Sequence, residues 1–480
     1  MLKDDVLFGS IREQGALLRG RKISAVELTE SYLDRLEKLG PRLSAVVTVT
    51  RELALAQAHR AQQEILAGRY VGPLHGIPYG AKDLLATKGI PTTWGAKPFR
   101  AQVFDSDATV IERLRGAGAV LLGKLAMIEL AGGLGYNNPD ASFTGPCRSP
   151  WNTDHWSGGS SSGSGSATAA GLVGFALGSE TSGSILSPAT ACGLAGLRPT
   201  YGLVSRHGAM ALSWTLDKVG PLCRSADDCG LVLAVIAGRD AKDSSTRGEF
   251  SYRVRGNEDG GPARRFRVGV LRSATARAEP EVRDNFLRAV DVLRNFAQIE
   301  EDVVFPDLPH GPAVEVIVSG DAASAFRGLI ESGGVKQLQD RADRLGGFSS
   351  MVIPAADYVD AMRLRVRVRA ELDALLSRYD ALVAPTYGRT APPVGYDFDK
   401  PKEPAPSFPE DAPRPPATIP AGNLAGLPAL CVPTGLGKNG LPTGIQLLGR
   451  AFSETTLLAL GDRYQQATDW HRVRPPFTGA

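Results

Sequence analysis

Apolar residues recur at helical spacing near the start of the chain. Leu28 and Tyr32 lie four positions apart within a longer apolar stripe, and Gly40 follows the last apolar position. Ser24 and Glu27 precede the stripe with the spacing of a capping box, in which each side chain accepts from the other residue's backbone N–H. The pattern predicts an amphipathic helix that packs against a core and carries no chemistry.

Short apolar runs alternate with helical patterns over the rest of the chain. Strands are predicted at residues 79–83, 119–122, 266–271, 381–384, 429–432 and 444–448, and helices at residues 52–67, 109–116, 280–296, 358–377 and 453–468. Residues 157–187 are rich in glycine and serine but contain an apolar block at 172–177, which flexible linkers lack. We interpret them as a loop, a buried helix at 166–171, a strand and a second loop. This alternation predicts an α/β sandwich.

Composition narrows the classes of protein. Of 480 residues, 43% are hydrophobic and 22% charged, which is typical of a globular protein. The 54 basic and 51 acidic residues nearly balance, so we expect no nucleic acid and no membrane surface as a partner. The five cysteines lack Cys-x-x-Cys spacing, which favours reduced thiols in a cytoplasmic protein. We expect no signal peptide and no membrane-spanning segment.

Two glycine- and serine-rich turns, at residues 157–163 and 181–185, carry the candidate chemistry. Acyl transfer needs an activated hydroxyl and backbone N–H groups aimed at the developing oxyanion. Glycine tolerates the backbone angles that expose such N–H groups. A serine hydroxyl at the start of a helix also lies in the positive field of the helix N-terminus. A buried lysine can act as the base, because desolvation lowers its pKa.

These turns and several other motifs resemble the amidase signature family. The motifs are Gly-Gly-Ser-Ser at 158–161, Gly-Ser-Ile at 183–185, Gly-Leu-Arg-Pro-Thr at 196–200, Gly-Ile-Pro at 76–78, Lys-Asp at 82–83 and Gly-Leu-Pro-Thr-Gly-Ile-Gln at 440–446. They occur in the family's order, and the resemblance spans nearly the whole chain. It implies the α/β class, with a single α/β/α sandwich around a mixed, mostly parallel central sheet.

The resemblance also implies catalytic roles. Ser184 would be the nucleophile, Ser160 the bridge to the base, and Lys82 the general base in its neutral form. A cis peptide bond would join Gly159 to Ser160, and Ser161 would orient Ser160. The oxyanion hole would consist of the backbone N–H groups of Thr181, Ser182, Gly183 and Ser184. No cofactor and no metal ion are implied.

The predicted reaction is hydrolysis of the C–N bond of a small or aryl carboxylic amide through an acyl-enzyme on Ser184, with esters and carbamates as further substrates. The alternative is the glutaminase (A) subunit of a tRNA-dependent amidotransferase. That subunit usually carries Asp-Gly-Val-Arg-Tyr-Gly, which residues 319–327 do not match. Glu180 and Leu186 also stand where the family usually has aspartate and arginine. We therefore expect a stand-alone amidase with a reshaped acyl pocket.

A second alternative uses the same turn differently. Residues 159–163 fit Gly-x-Ser-x-Gly, the nucleophile elbow of α/β hydrolases, with Ser161 as the nucleophile. That elbow follows a strand, and residues 151–156 are poor strand material, so we prefer the amidase interpretation. His75, Trp94 and Trp214 fall near the motifs and are candidates to line the site, with packing roles as the alternative.

We expect one amidase domain over residues 1–480, with a core at about 70–230, a variable substrate-pocket region at about 240–420 and C-terminal strands and a helix at about 421–480. The pockets are expected to come from variable loops, including residues 319–348. The proline-rich residues 385–420 are expected at the entrance, because a loop of this length in a compact fold is usually functional. The expected partner is a small-molecule amide substrate, and a homodimer is left open.

Overall fold

The structure is a computed structural model that describes residues 2–252, 265–400 and 414–477. Its strands are β1 (Val46–Val49), β2 (Pro78–Lys82), β3 (Val120–Leu125), β4 (Arg148–Ser149), β5 (Asn152–Trp156), β6 (Phe175–Glu180), β7 (Ala195–Arg198), β8 (Lys218–Cys223), β9 (Phe266–Val270), β10 (Ala297–Glu300), β11 (Ala381–Pro385), β12 (Ala429–Leu436) and β13 (Pro442–Leu448).

The α-helices lie between and around these strands. They are α1 (Asp4–Leu7), α2 (Ile11–Arg19), α3 (Ala25–Leu39), α4 (Arg51–Leu66), α5 (Thr109–Gly116), α6 (Ser162–Ala169), α7 (Leu186–Cys192), α8 (Ala226–Ile236), α9 (Pro280–Arg294), α10 (His310–Ala325), α11 (Arg327–Glu331), α12 (Arg341–Ser350), α13 (Ala355–Leu376), α14 (Thr418–Ala425) and α15 (Glu454–Gln466). Within the described residues, no helix has both the length and the apolar character needed to cross a bilayer.

One large sheet organises the fold. In the described part of the chain, eleven strands lie in the order β1-β3-β2-β6-β8-β7-β12-β13-β11-β9-β10, and β4 and β5 form a separate pair. β2 runs parallel to both β3 and β6, and β9 runs parallel to both β10 and β11. The remaining neighbours in the large sheet are antiparallel. The predicted α/β class with a mixed central sheet is confirmed.

Strong local signals placed several elements well. Ser24 and Glu27 form the predicted capping box at the start of α3, and α5 has the predicted bounds. The serine-rich helix α6 begins at Ser162, four residues before its predicted start. Serine and glycine are weak helix formers, so helix propensity does not indicate where this helix begins. Every residue of α6 is buried, and the hydroxyl of Ser164 donates to the carbonyl of Leu177 at 2.9 Å.

Two predictions of irregular structure are wrong. Residues 152–156 form strand β5, because β4 pairs with them and the N–H of Trp156 donates to the carbonyl of Pro392 at 2.8 Å. Residues 319–348, expected as loops, are mostly helical and contribute to α10, α11 and α12. In both cases distant partners stabilise backbone that the local sequence does not mark.

The sheet places the Lys-Asp motif at residues 82–83 and the turn at residues 181–185 at the same edge, because they follow the ends of neighbouring strands. Because β2 and β6 are parallel neighbours, Lys82 at the end of β2 and Glu180 at the end of β6 lie at the same edge. Helix α6 starts there and approaches closely, since a Cβ on Gly163 would lie 2.4 Å from the backbone nitrogen of Ala126. The glycine therefore lets the first turn of α6 reach the strand ends.

Candidate active site

Lys82 lies fully buried at the end of β2. Its Nζ donates to the Oγ of Ser160 at 2.8 Å and to the Oγ of Ser179 at 3.0 Å. Burial lowers the pKa of Lys82 to about 7, although the nearby carboxylates of Asp217 and Glu180 act to raise it. A substantial fraction of Lys82 is therefore neutral near pH 7, and a neutral amine can accept a proton.

The turn before α6 brings Ser160 to this amine. The peptide bond between Gly159 and Ser160 is cis, as the resemblance implied. The hydroxyl of Ser161 donates to the carbonyl of Ser179 at 3.1 Å and accepts from its N–H at 3.2 Å. Ser161 is thus fully buried and bound to β6, which argues against it as an elbow nucleophile although β5 precedes it.

Ser184 lies against the same turn. It is partly exposed, and its carbonyl accepts from the N–H of Ser161 at 3.3 Å. Among the hydrogen bonds of the described residues, none involves the hydroxyl of Ser184, so this hydroxyl is not committed to Ser160 or to any other group. Catalytic hydrogen bonds of this kind often tighten only when substrate is bound.

The turn at residues 181–184 presents backbone N–H groups. In the described part of the chain, no protein oxygen accepts from the N–H groups of Thr181, Ser182, Gly183 and Ser184. Gly183 has φ +92°, and a Cβ there would lie 2.7 Å from the hydroxyl of Tyr387. The position therefore favours glycine on both backbone and steric grounds. Uncommitted N–H groups beside a serine hydroxyl suit the stabilisation of an oxyanion.

Glu180 accepts hydrogen bonds from the backbone that directly follows this turn. Its Oε1 accepts from Nη1 of Arg198 and from Nδ2 of Asn423, both at 2.9 Å, and its Oε2 accepts from the N–H groups of Ile185 at 2.9 Å and Leu186 at 3.0 Å. Burial by itself raises the pKa of Glu180, but Arg198 and the other donors bring it below its ordinary value. Arg198 thus supplies a cation to the carboxylate, and Leu186 packs into the apolar core.

Two further side chains near the base were not anticipated. Ser179 accepts from Lys82, and its place one residue before Glu180 on the same strand was an available signal. Asp217 accepts from the hydroxyl of Thr181 at 2.6 Å and from the N–H of Leu212 at 2.8 Å. Asp217 reaches the site because β8 pairs with β6, a contact that no local pattern marks.

A cavity of about 260 Å³ extends to Ser179, whose hydroxyl accepts a hydrogen bond from Lys82. Ser179, Thr181 and Asp217 line it, together with the largely exposed Trp214. Trp214 therefore lines the same cavity as Ser179 and Thr181.

The other two aromatic candidates do not line this cavity. His75 is buried with its Nε2 3.2 Å from the carboxylate of Glu64, and the ring of Trp94 lies 4.6 Å from that of Phe99.

The described ends of the proline-rich segment lie near the turn at residues 181–184. A Cβ added to Gly183 would lie 2.7 Å from the hydroxyl of Tyr387, at one end of the segment. It would lie 3.4 Å from the side chain of Ile419, at the other end. Residues 401–413, the middle of this segment, lie outside the described residues. A role of the segment at the entrance stays a prediction.

A sequence model of the family described as Amidase matches residues 27–458. The chain belongs to the amidase signature family. Among solved structures, the native peptide amidase from Stenotrophomonas maltophilia has a TM-score of 0.81 and 31% identity, covering 97% of this chain and 98% of that chain. The chain is therefore an enzyme of the class that acts on amide C–N bonds.

Curated relatives of this chain carry a more specific name. A protein from Methylococcus capsulatus (strain ATCC 33009 / NCIMB 11132 / Bath), named as the A subunit of Glutamyl-tRNA(Gln) amidotransferase, is 39% identical over 490 residues, which cover 97% of this chain and 98% of the relative. Seven more relatives with that name are 36–38% identical over 96–98% of this chain. The solved structure of the protein of that name from Thermotoga maritima has a TM-score of 0.76 and 28% identity, covering 98% of this chain and 97% of that chain.

These names contradict the expectation of a stand-alone amidase. The departures at Glu180 and Leu186 are local, and Arg198 keeps an ion pair at this turn, so they distinguish the classes poorly. A single unmatched segment at residues 319–327 likewise carries less information than identity over nearly the whole chain. The expectation of a small-molecule substrate as the partner, with no nucleic acid, is wrong for the same reason. The name of each relative describes one subunit of an assembly and includes a tRNA.

Proposed function

We propose that this chain is the amide-hydrolysing component of a tRNA-dependent amidotransferase, with glutamine as the amide substrate. Full-length identity of 39% to a relative of that name carries the proposal. The hydrogen bond between Lys82 and Ser160 supports the chemistry, because it joins a buried amine to a hydroxyl beside the predicted nucleophile. The proposal therefore has two parts, membership of an amidotransferase assembly and amide hydrolysis at the site around Lys82.

In the proposed reaction, the hydroxyl of Ser184 attacks the amide carbonyl carbon. The new C–O bond forms as the proton of Ser184 passes to Ser160, whose own proton passes to neutral Lys82. The oxyanion is stabilised by N–H groups of the turn at residues 181–184. The pKa of Lys82, about 7, suits a group that must accept a proton and later return it.

The second half returns the proton. Lys82 donates through Ser160 to the leaving nitrogen, the C–N bond breaks, and ammonia leaves while the acyl group stays on Ser184. Water then attacks the acyl-enzyme by the same proton path, which releases the carboxylic acid and regenerates the serine.

Ammonia release from glutamine tests the proposal. The protein is assayed alone, and after co-expression with the remaining subunits of the Methylococcus capsulatus amidotransferase. We expect co-purification, and glutamine hydrolysis that rises in the complex and vanishes in Ser184→Ala. A chain that binds none of those subunits and leaves glutamine intact in their presence would contradict the proposal.

Three more detailed expectations about this protein remain predictions. They are ester or carbamate cleavage through the same acyl-enzyme, one folding domain over residues 1–480, and a cytoplasmic location. Limited proteolysis tests the second, since a single domain resists cleavage except in exposed loops.

A further inference from the structure

A second cavity lies at the opposite end of helix α14 from the turn at residues 181–184. The N-terminal end of α14 carries Ile419 beside Gly183, whereas Ala425 at its other end lines this cavity of about 300 Å³. We call it the arginine cavity, because its charged lining consists of Arg247, Arg365 and Arg369. Within the described residues, no carboxylate lines it.

Arg365 is held in place at this cavity. Its Nε donates to the carbonyl of Leu424 at 2.8 Å, and its Nη2 donates to the carbonyl of Thr215 at 2.8 Å. Its guanidinium carbon lies 6.0 Å from the ring centroid of Tyr201. Burial lowers the pKa of Arg365, and the charge of Arg369 acts in the same direction. The anchored guanidinium is therefore pre-oriented, and its charge is only partly compensated.

The other two arginines have little counter-charge. Arg369 reaches Asp373 only at 3.8 Å, and its side chain is 62% exposed. Arg247 is exposed, and in the described part of the chain its side chain makes no ion pair, while its N–H donates to the carbonyl of Gly202 at 2.7 Å. The carboxylate that acts on Arg365 belongs to Asp321, which lies outside the cavity lining.

The three arginines give this cavity a positively charged lining. Basic residues number 54 against 51 acidic ones over the whole sequence, whereas the described lining of this cavity has three arginines and no carboxylate. Like charges gathered in a cleft repel each other and attract an anion. Planar guanidinium forks match the oxygens of phosphate particularly well.

Aromatic rings border the same space. Tyr201 lines the cavity, and Phe452 lines it with 49% of its surface exposed. The N–H of Phe452 donates to the hydroxyl of Thr200 at 2.8 Å, which fixes the backbone of this residue. The partly exposed ring of Phe452 beside cationic groups suits a phosphate that is attached to a nucleobase.

We propose that the arginine cavity binds a phosphate group, presented by a nucleotide or by a nucleic acid, with Arg247, Arg365 and Arg369 as its cationic ligands. The cavity is separate from the hydrolytic site, so the proposal does not rest on the proposed function. The two sites share helix α14.

Calorimetric titration of the full-length protein tests the proposal. The probes are inorganic phosphate, AMP and a short single-stranded RNA at one ionic strength, with adenosine as the uncharged comparison. Arg247→Gln and Arg369→Gln each remove one charge without touching the anchored Arg365. The matched control is Arg367→Gln, which is on the same helix, is similarly exposed, and pairs with Glu371 outside the cavity.

We expect at least one phosphate-bearing probe to bind and adenosine not to bind. Each cavity variant should weaken binding by about tenfold, the loss expected for one charge-assisted hydrogen bond, whereas Arg367→Gln should leave it unchanged. Unchanged melting temperatures would show that the variants are folded. The proposal would be overturned if none of the three phosphate probes bound, or if both cavity variants bound them as tightly as the unaltered protein.

The probes also distinguish the source of the phosphate. Equal affinity for inorganic phosphate and AMP indicates a site for free phosphate. Tighter binding of AMP that is lost in Phe452→Leu indicates a nucleotide. Tightest binding of RNA, with a steep decrease as salt rises, indicates a nucleic acid. The last two results support the proposal in full, whereas equal affinity for inorganic phosphate and AMP would overturn its assignment to a nucleotide or a nucleic acid.

Discussion

Two fully buried lysines lie on neighbouring parallel strands and have different surroundings. Lys82 on β2 donates to the hydroxyls of Ser160 and Ser179. Lys124 on β3 lies beside it in the sheet, donates to a threonine hydroxyl at 2.6 Å and lies 3.2 Å from the carboxylate of Asp83. Burial is the same in the two places, and the contacting group differs.

The different contacting groups suggest a catalytic role for Lys82 and a structural role for Lys124. Burial lowers the pKa of both amines, but at Lys124 the contacting carboxylate of Asp83 opposes that effect directly. The contacting carboxylate of Asp83 favours the charged form of Lys124, and an amine in its charged form cannot accept a proton. At Lys82 the contacting groups are hydroxyls and the carboxylates act only from a greater distance, so burial lowers its pKa to about 7. We infer that the nature of the partner, more than burial, assigns a buried lysine to catalysis.

The largest expected effect separates the two lysines by activity. Lys82→Met should reduce amide hydrolysis by about 10⁴-fold or more, since the base is lost, while the fold is kept. Folded Lys124→Met should retain most of its activity per molecule. Steady-state kinetics with active-site titration measures both. Comparable catalytic losses in the two variants would remove the distinction.

The relay through Ser160 gives the next effect. Ser160→Ala and Lys82→Ala should each cost orders of magnitude in kcat, and the double variant should cost little more than either single one, because both belong to one proton path. A double-variant cycle of kcat/KM measures this coupling. Losses that multiply would show that the two groups act independently.

Stability separates the lysines in the opposite sense. Lys124→Met should lower the free energy of unfolding by about 3–5 kcal/mol, because it leaves the buried carboxylate of Asp83 without its cation. Adding Asp83→Asn should recover much of that loss. Urea unfolding measures the free energies, with Lys82→Met as the control that leaves no carboxylate uncompensated at contact distance.

The smallest effect concerns pH. The base acts when neutral, and the pKa of Lys82 is lowered to about 7, so activity should rise with pH through about 7. Asp217→Asn removes a negative charge that raises this pKa, and the rising limb should therefore move to lower pH. The pH dependence of kcat/KM measures the shift. A limb that moves to higher pH in this variant would contradict the assignment of the base.

Much of the fold and of the site could be predicted from local patterns. The capping box of α3 and the bounds of α5 depend on neighbouring residues, and they were predicted correctly. Strand β5 and the helices at residues 319–348 could not be predicted, because their partners lie far along the chain. The preference for a stand-alone enzyme failed similarly, since it gave weight to Leu186 without knowledge of its surroundings.

The sequence by itself was enough to predict the candidate reacting groups, because Ser160, Ser184 and Lys82 lie within short motifs that resemble those of the family. Only the tertiary structure decided their environment. Strand pairing brings Asp217 to the base, and folding places Arg198 against Glu180. The same long-range packing gathers Arg247, Arg365 and Arg369 around one cavity. Electrostatic fields and pKa values depend on distances through space, and distances along the chain do not specify them.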